Sequence, residues 1–277
     1  MSSPTALTGP AATVDRDTRA RLPITGHGVG AVLAPLVFGI VVIGLWELAI
    51  KAFDVEPLII PAPSAIASEV HRNWEFIYSG MKVTGRNALI GMLAGALIGV
   101  VGAVIAASVR IIDQMAVPVV AALSVVPIVA LAPVLYTMYG AAVDTARIVV
   151  AGIAVSVPVY LNTLRGLRQV TPVHRDLMAA YAAGPMQVAR AVTLPTAMPY
   201  VFTGLRIASS LAVISALIAE YFGGPIGGLG KSITSSAASS KYATAYSYVV
   251  GAIILGLAFY VATLLIELWF SRHRGRT

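Results

Sequence analysis

Six long apolar stretches follow one another along the chain, separated by shorter polar segments. A helix that crosses the hydrocarbon core of a bilayer needs about 20 mostly apolar residues. The stretches long enough for this are 30–53, 84–108, 115–138, 146–164, 197–220 and 245–270. The pattern therefore predicts an all-α, polytopic membrane protein with six transmembrane helices.

Composition strengthens this prediction. Of the 277 residues, 58% are hydrophobic and only 11% are charged, whereas a soluble domain carries about 25% charged residues. A core able to hide so much apolar surface would need a longer chain. The absence of cysteine excludes disulfides and thiolate metal sites.

The net charge of +7 indicates membrane topology rather than nucleic-acid binding, because the basic residues lie between and beyond the spans. Lys and Arg concentrate in short cytoplasmic loops. With both termini inside, the inner segments carry eleven basic residues and the outer segments seven. We expect residues 1–28 to form a disordered cytoplasmic tail and 271–277 a basic one.

The first long interspan segment, 54–83, predicts an interfacial helix on the outer side. Its prolines exclude helix around 61–63, and Ser64 could then cap a helix. The apolar residues of that helix would share one face: Ile66, Val70, Trp74 and Ile77.

Small residues and prolines mark the second to fourth spans. Gly91, Gly95 and Gly99 repeat every four residues, a spacing that lets membrane helices approach closely, either within the chain or between subunits. The third and fourth spans contain Pro118, Pro127, Pro133 and Pro158. Kinks at these positions favour a moving or cavity-lining bundle.

Polar residues within the later spans are candidates for a translocation path. Glu220 could be a functional intramembrane carboxylate or a solvated helix end, and both interpretations stay open. The candidate path residues are Pro127, Tyr136, Asn162, Ser209, Ser215 and Glu220.

The sequence favours neither a catalytic site nor a nucleotide-binding site. The segment 224–232 resembles a phosphate-binding loop, but Pro225 replaces the first glycine and a membrane span precedes it, not a strand. A flexible turn is the better interpretation. The four histidines are scattered outside the spans, so we predict no catalytic residues and no metal site.

The second long connection, 166–196, has a different composition. It predicts an Ala-rich short helix, a break at Gly184 and Pro185, and a second short helix that stops at Pro195. Asp176 would lie near a helix start, where it suits the macrodipole. Such small residues form a smooth surface that could sit in a groove of a partner.

This connection resembles the Glu-Ala-Ala loop of bacterial ABC importer permeases. Asp176 stands at the glutamate position, Leu177 and Met178 at the two alanine positions, and Ala182 at the glycine position. In that family the loop docks a cytoplasmic ATPase. The docking residues that the resemblance implies are Asp176, Ala179, Ala180, Ala182, Gly184, Leu194 and Pro195.

Other stretches are similar to the nitrate, sulfonate and taurine branch of these permeases. They are 61–64, 125–133, 161–163, 203–206 and 219–224. The run 199–224 most resembles members assigned to pyrimidine vitamin precursors or riboflavin. The implied fold is that of type I, MetI-like importer permeases, with a peripheral first helix (29–55), an outer loop (56–83) and a five-helix core (84–270).

The resemblance also implies how the protein works. Two copies would form a pore in a bacterial plasma membrane, and two ATPase subunits would bind ATP and Mg²⁺. An extracytoplasmic binding protein would deliver a small polar solute. The chain itself would bind no cofactor, no nucleic acid and nothing beyond lipid and these partners. The alternatives are an autonomous carrier or channel and a membrane-embedded enzyme.

Overall fold

The computed structural model describes residues 29–56 and 58–274, and all regular elements in these residues are helical. The predicted N-terminal tail and residues 275–277 lie outside the described residues. The elements are α1 (Val29–Ala52), α2 (Pro63–Arg72), α3 (Trp74–Ser108), α4 (Arg110–Val125), α5 (Ile128–Tyr139), α6 (Thr145–Leu167), α7 (Pro172–Ala180), α8 (Pro185–Val188), a π-helical turn (Ala189–Thr193), α9 (Leu194–Phe222), α10 (Leu229–Ala238) and α11 (Tyr242–Arg274).

Five of the described helices are long and apolar enough to cross a membrane, and the bent pair α4 and α5 makes a sixth if it counts as one span. The predicted six spans correspond to α1, α3, the α4–α5 pair, α6, α9 and α11. The all-α class is confirmed.

The third predicted span, 115–138, is wrong as a single helix. The chain bends by 99° between α4 and α5. Val126 is extended, with φ −62° and ψ 122°, because Pro127 disfavours helical backbone at the residue before it and cannot donate a hydrogen bond.

The predicted interfacial helix is also wrong in its extent. Its N-cap is Ala62, with Pro63 in the first turn, and it ends at Arg72. Asn73 interrupts it with a non-helical backbone (φ −105°, ψ 16°), and its amide Nδ2 donates to the Glu69 carbonyl at 3.1 Å and to the Glu69 carboxylate at 2.8 Å. Trp74 and Ile77 belong instead to α3, which carries the second span further N-terminally than the apolar run alone indicates.

The described residues divide into two compact units, which meet in the sequence between Ala49 and Ile50. In the second unit, α6 packs between α3 and α9. Gly91 and Gly99 of α3 face α6 so closely that an added Cβ would lie 2.6 Å from Ala151 Cβ and 2.7 Å from the Ser156 carbonyl. At Gly95 it would overlap the backbone of Gly152. Packing within the chain thus accounts for the glycine stripe.

Candidate functional site

The connection between α6 and α9, here called the α7–α8 loop (residues 168–193), begins with a capped helix. The Thr171 hydroxyl accepts a hydrogen bond from the His174 backbone N–H at 3.5 Å, with Pro172 in the first turn. Asp176 therefore lies in the middle of α7, and its expected place near the helix start is wrong. The Thr171 cap and Pro172 place the start of α7 at residue 172, four residues before Asp176.

Helix α7 ends in a left-handed residue. Ala182 has φ +48°, its N–H donates to the Ala179 carbonyl at 2.9 Å, and the Ala183 N–H donates to the Met178 carbonyl at 3.0 Å. These two bonds form a Schellman motif, whose left-handed position favours glycine. Ala182 is also the position at which the resemblance expects glycine, so the structure gives that preference a physical reason.

The second half of the α7–α8 loop confirms the predicted break at Gly184 and Pro185, but not the predicted helix end at Pro195. Gly184 is the N-cap of α8, and its N–H donates to Gln187 Oε1 at 2.8 Å. The expected end at Pro195 is wrong, because the π turn leads directly into α9. Pro195 follows a helical turn with wider hydrogen bonding, in which the Leu194 N–H donates to the Ala189 carbonyl five residues back.

The surface of the α7–α8 loop is apolar for an exposed segment. In the described residues, neither α7 nor α8 contains a buried side chain. Val173 and Tyr181 are exposed to 73% and 74%, and Leu177 and Met186 are exposed as well. Contiguous exposed apolar surface marks an interaction site. The predicted docking residues Ala179 and Ala180 lie on this exposed helix.

The base of the α7–α8 loop is fixed to the bundle. Arg168 Nη2 lies 2.5 Å from Asp113 Oδ1 of α4. Gly166 of α6 packs so tightly on α9 that an added Cβ would lie 2.7 Å from Tyr200 Cβ. The start of the α7–α8 loop is thus joined to α4 by an ion pair, next to the point where α6 packs on α9.

At the other end of α9, Glu220 occupies a buried polar cluster, here called the Glu220 cluster (Glu220, Arg147, Thr84, Tyr136 and Asp144). The Thr84 hydroxyl donates to the Glu220 carboxylate, 2.9 and 3.0 Å from its two oxygens. The Gly230 N–H donates to Oε2 at 2.7 Å, and Arg147 Nη1 lies 3.7 Å from Oε1. Both charged side chains are 0% exposed, so the interpretation of Glu220 as a solvated helix end is wrong.

Arg147 connects this carboxylate to the rest of the cluster. Its guanidinium lies 3.1 Å from Asp144 Oδ1, donates to the Pro225 carbonyl at 2.6 Å and lies 3.4 Å from the Tyr136 hydroxyl. Asp144 is in turn ion-paired with Arg86. A buried charge needs partners of this kind.

The glycine-rich segment after α9 is shaped by these charges. At Gly224, which has φ +101°, an added Cβ would lie 2.5 Å from the Arg147 guanidinium, and at Gly228 it would overlap the Glu220 carboxylate. The segment expected as a flexible turn is thus glycine-rich because its backbone approaches two buried charges. It leads from one helix to the next, not from strand to helix.

The candidate path residues occupy separate places. Tyr136 and Glu220 meet through Arg147, whereas Ser209 accepts a hydrogen bond from Thr263 at 3.3 Å. Asn162 donates to the Pro158 carbonyl at 2.8 Å. Tyr136, Ser209, Ser215 and Glu220 are buried, and Pro127 is exposed at the α4–α5 bend.

The sequence did not identify Arg147 and Thr84 as partners of Glu220, because Arg147 was counted among the seven basic residues of the outer segments. The available signal was an arginine at the start of an apolar span, since a charge there needs a carboxylate. Within the described residues, no cluster of His, Asp and Glu side chains could hold a metal ion.

The comparison with known families decides the identity of this bundle. Residues 86–276 match the family described as binding-protein-dependent transport system inner membrane component. The chain belongs to this family. It is the membrane-spanning permease subunit of an ABC importer, and the importer family predicted from the sequence is confirmed.

Relatives of the permease are named as transport permeases. It is 28% identical to a probable ABC transporter permease protein of Haemophilus influenzae over 69% of this chain and 78% of that one. It is 27% identical to the riboflavin transport permease RibX of Chloroflexus aurantiacus (66% and 68% covered) and 24% identical to the formylaminopyrimidine permease ThiX of Halalkalibacterium halodurans (69% and 76%). Such permeases work with ATPase and substrate-binding partners.

A solved structure supports the fold of the permease. The crystal structure of an amino acid ABC transporter with histidines aligns with a TM-score of 0.57 at 17% identity, and the alignment covers 74% of this chain and 96% of that one. The expected importer-permease fold is thereby confirmed.

Proposed function

We propose that two copies of this permease form a path for a small polar solute and that two ATPase subunits drive it by binding the two α7–α8 loops. The observation that supports this most directly is the continuity of the α7–α8 loop with α9. The exposed surface of α7 and α8 could bind a partner protein, and α9 extends from this segment to the Glu220 cluster. With 29 residues, α9 is about 44 Å long.

ATP and Mg²⁺ would be bound by the partner ATPase, and the permease would bind no cofactor. An extracytoplasmic binding protein would deliver the solute. Two relatives carry the names of riboflavin and formylaminopyrimidine transport, so heterocyclic vitamin precursors are the first solutes to test. ATP binding would draw the two α7–α8 loops together and turn the path outward as a rigid-body switch.

Both termini and the α7–α8 loop would lie in the cytoplasm, as the excess of basic residues favours. The chain has no cysteine, so a single introduced one reports its own side. In intact cells, a membrane-impermeant maleimide should label Lys241→Cys and leave Arg175→Cys unlabelled until the cells are broken. The reverse labelling would overturn the orientation.

Reconstitution tests the division of labour. The permease, the ATPase and the binding protein in one liposome should give ATP-driven uptake, and omission of any one should abolish it. Ala180→Glu on α7 should uncouple ATP hydrolysis from uptake, whereas Ser108→Glu, at an exposed position outside the α7–α8 loop, should not. Uptake by the permease alone would identify an autonomous carrier or channel instead.

A further inference from the structure

A long apolar groove lies between α3 and α11, with two basic side chains at one end. Its volume is about 610 Å³. Lys82 and Arg86 of α3 form the basic end, and they are one helical turn apart, so they share a face. The buried floor of the groove is apolar apart from one hydroxyl, and it contains Met92, Leu255 and Thr263.

The basic end lies at the depth of lipid headgroups. Helix α3 has 35 residues, about 52 Å, whereas the hydrocarbon core is about 30 Å thick. The stretch 88–107 carries no charged residue and is long enough to fill that core. Lys82 and Arg86 therefore stand just outside the hydrocarbon, and the groove extends from them into it.

The groove has the length of one acyl chain within a leaflet. On α11 it is lined from Leu255 to Ile266, a rise of about 16 Å along the helix. One leaflet contributes about half of the hydrocarbon core, or roughly 15 Å. Gly85 lies at the entrance of the groove. An added Cβ there would lie only 3.2 Å from Leu255 Cδ1, so a side chain at this position would narrow the entrance.

The charges at the entrance favour an anion. The Lys82 ammonium lies 4.8 Å from the centre of the Tyr78 ring and is exposed. The Arg86 side chain is 62% exposed and pairs through Nη2 with Asp144, while a guanidinium has five N–H donors in all. Two cations face one carboxylate, so a net positive charge remains for a phosphate.

From the groove and this charge we infer that the permease binds one anionic phospholipid between α3 and α11. The phosphate sits between Lys82 and Arg86, and one acyl chain lies along Met92, Leu255 and Thr263. A zwitterionic lipid fits less well, because its own ammonium neutralises its phosphate. This inference does not depend on the proposed transport function.

Native mass spectrometry of the full-length permease, released from nanodiscs of phosphatidylglycerol or phosphatidylcholine, tests the inference. We expect one retained phosphatidylglycerol and little phosphatidylcholine. Lys82→Gln should weaken retention about fivefold, the worth of one basic side chain near an anionic surface. Ala262→Trp, which fills the groove at an exposed position, should abolish retention while both cations remain.

Lys241→Gln is the matched control, because it removes an exposed lysine away from the groove, and it should retain lipid as the unaltered permease does. Equal retention of the two lipids, or retention unchanged in both groove variants, would overturn the inference. Cross-linking of Ala262→Cys to a second copy, or to a cysteine placed in α1, would show that protein covers the groove and would also overturn it.

Discussion

The two ends of α9 differ in whether the side chains there find their contacts within the chain. The Glu220 cluster is completed within the chain, since Thr84, Arg147 and the Gly230 N–H all reach one carboxylate. In the α7–α8 loop, the described residues of α7 and α8 include no buried side chain, and Ala182, which lies between the two helices, is left-handed. The Glu220 cluster is therefore complete within the chain, whereas α7 and α8 present an exposed surface of the kind that binds a partner.

This difference separates fold from partner binding. Substitutions in the Glu220 cluster should act on stability, because the cluster fixes α3, α6 and α9 to one another. Substitutions on the exposed loop should act on the ATPase and leave stability nearly unchanged.

The largest effect is expected from Glu220→Ala. It removes one of the two carboxylates beside the buried Arg147 and leaves the Thr84 hydroxyl and the Gly230 N–H without their acceptor, which costs about 3–5 kcal/mol, a fall of roughly 10 °C in the thermal midpoint. The double variant Glu220→Leu with Arg147→Met should recover most of this loss. Glu75→Ala, an exposed glutamate, is the control, and a midpoint that falls equally for Glu75→Ala and Glu220→Ala would refute the role of burial.

Tyr181→Ala should weaken binding of the ATPase by about 2 kcal/mol, or roughly 30-fold, because exposed tyrosines at interfaces are frequent hot spots. Its thermal midpoint should not change, since the side chain is 74% exposed. Titration with the purified ATPase measures the affinity. Tyr139→Ala removes another exposed tyrosine outside the loop, and an equal loss of affinity there would contradict the assignment.

Two glycine substitutions compare the ends directly. Gly228→Ala places a methyl group against the Glu220 carboxylate and should cost about 1–3 kcal/mol of stability. Gly184→Ala should cost little, because Gly184 has φ −68° and the nearest atom to an added Cβ is Gln187 Oε1 at 3.8 Å. Thermal unfolding measures both. Equal destabilisation would show that the loop is packed as tightly as the cluster.

The smallest effect is expected from Ala182→Gly. Glycine relieves the left-handed strain at φ +48°, worth about 1 kcal/mol, and should slow amide hydrogen exchange in α7. Ala183→Gly serves as the control, because that residue has no positive φ and should give no protection. Faster exchange in Ala182→Gly would contradict the Schellman assignment.

Local patterns predicted the local features of this fold. The six apolar stretches identified the spans, because span length and apolarity are properties of contiguous residues. Gly184 and Pro185 predicted the break in the loop for the same reason. Proline was a less reliable signal for helix ends. Pro127 predicts a kink, but not a bend of 99°. Pro195 did not end a helix, because no sequence pattern indicated the π turn before it.

The Glu220 cluster could not be predicted in the same way. Arg147 and Glu220 are far apart in sequence and meet only because α6 packs against α9. The glycines at 223–230 looked like a turn because their constraint comes from side chains on other helices. Thr84 gave no signal, since a lone hydroxyl in an apolar span has many possible partners.

In the proposed mechanism, α7 is the surface through which a separate ATPase drives this permease. The most direct measurement is cross-linking of Ala180→Cys to cysteines on the purified ATPase, in a chain that has no other cysteine. We expect a cross-linked product for Ala180→Cys that ATP alters, and none for Lys231→Cys on α10. No product at Ala180, or an equal product at Lys231, would contradict it.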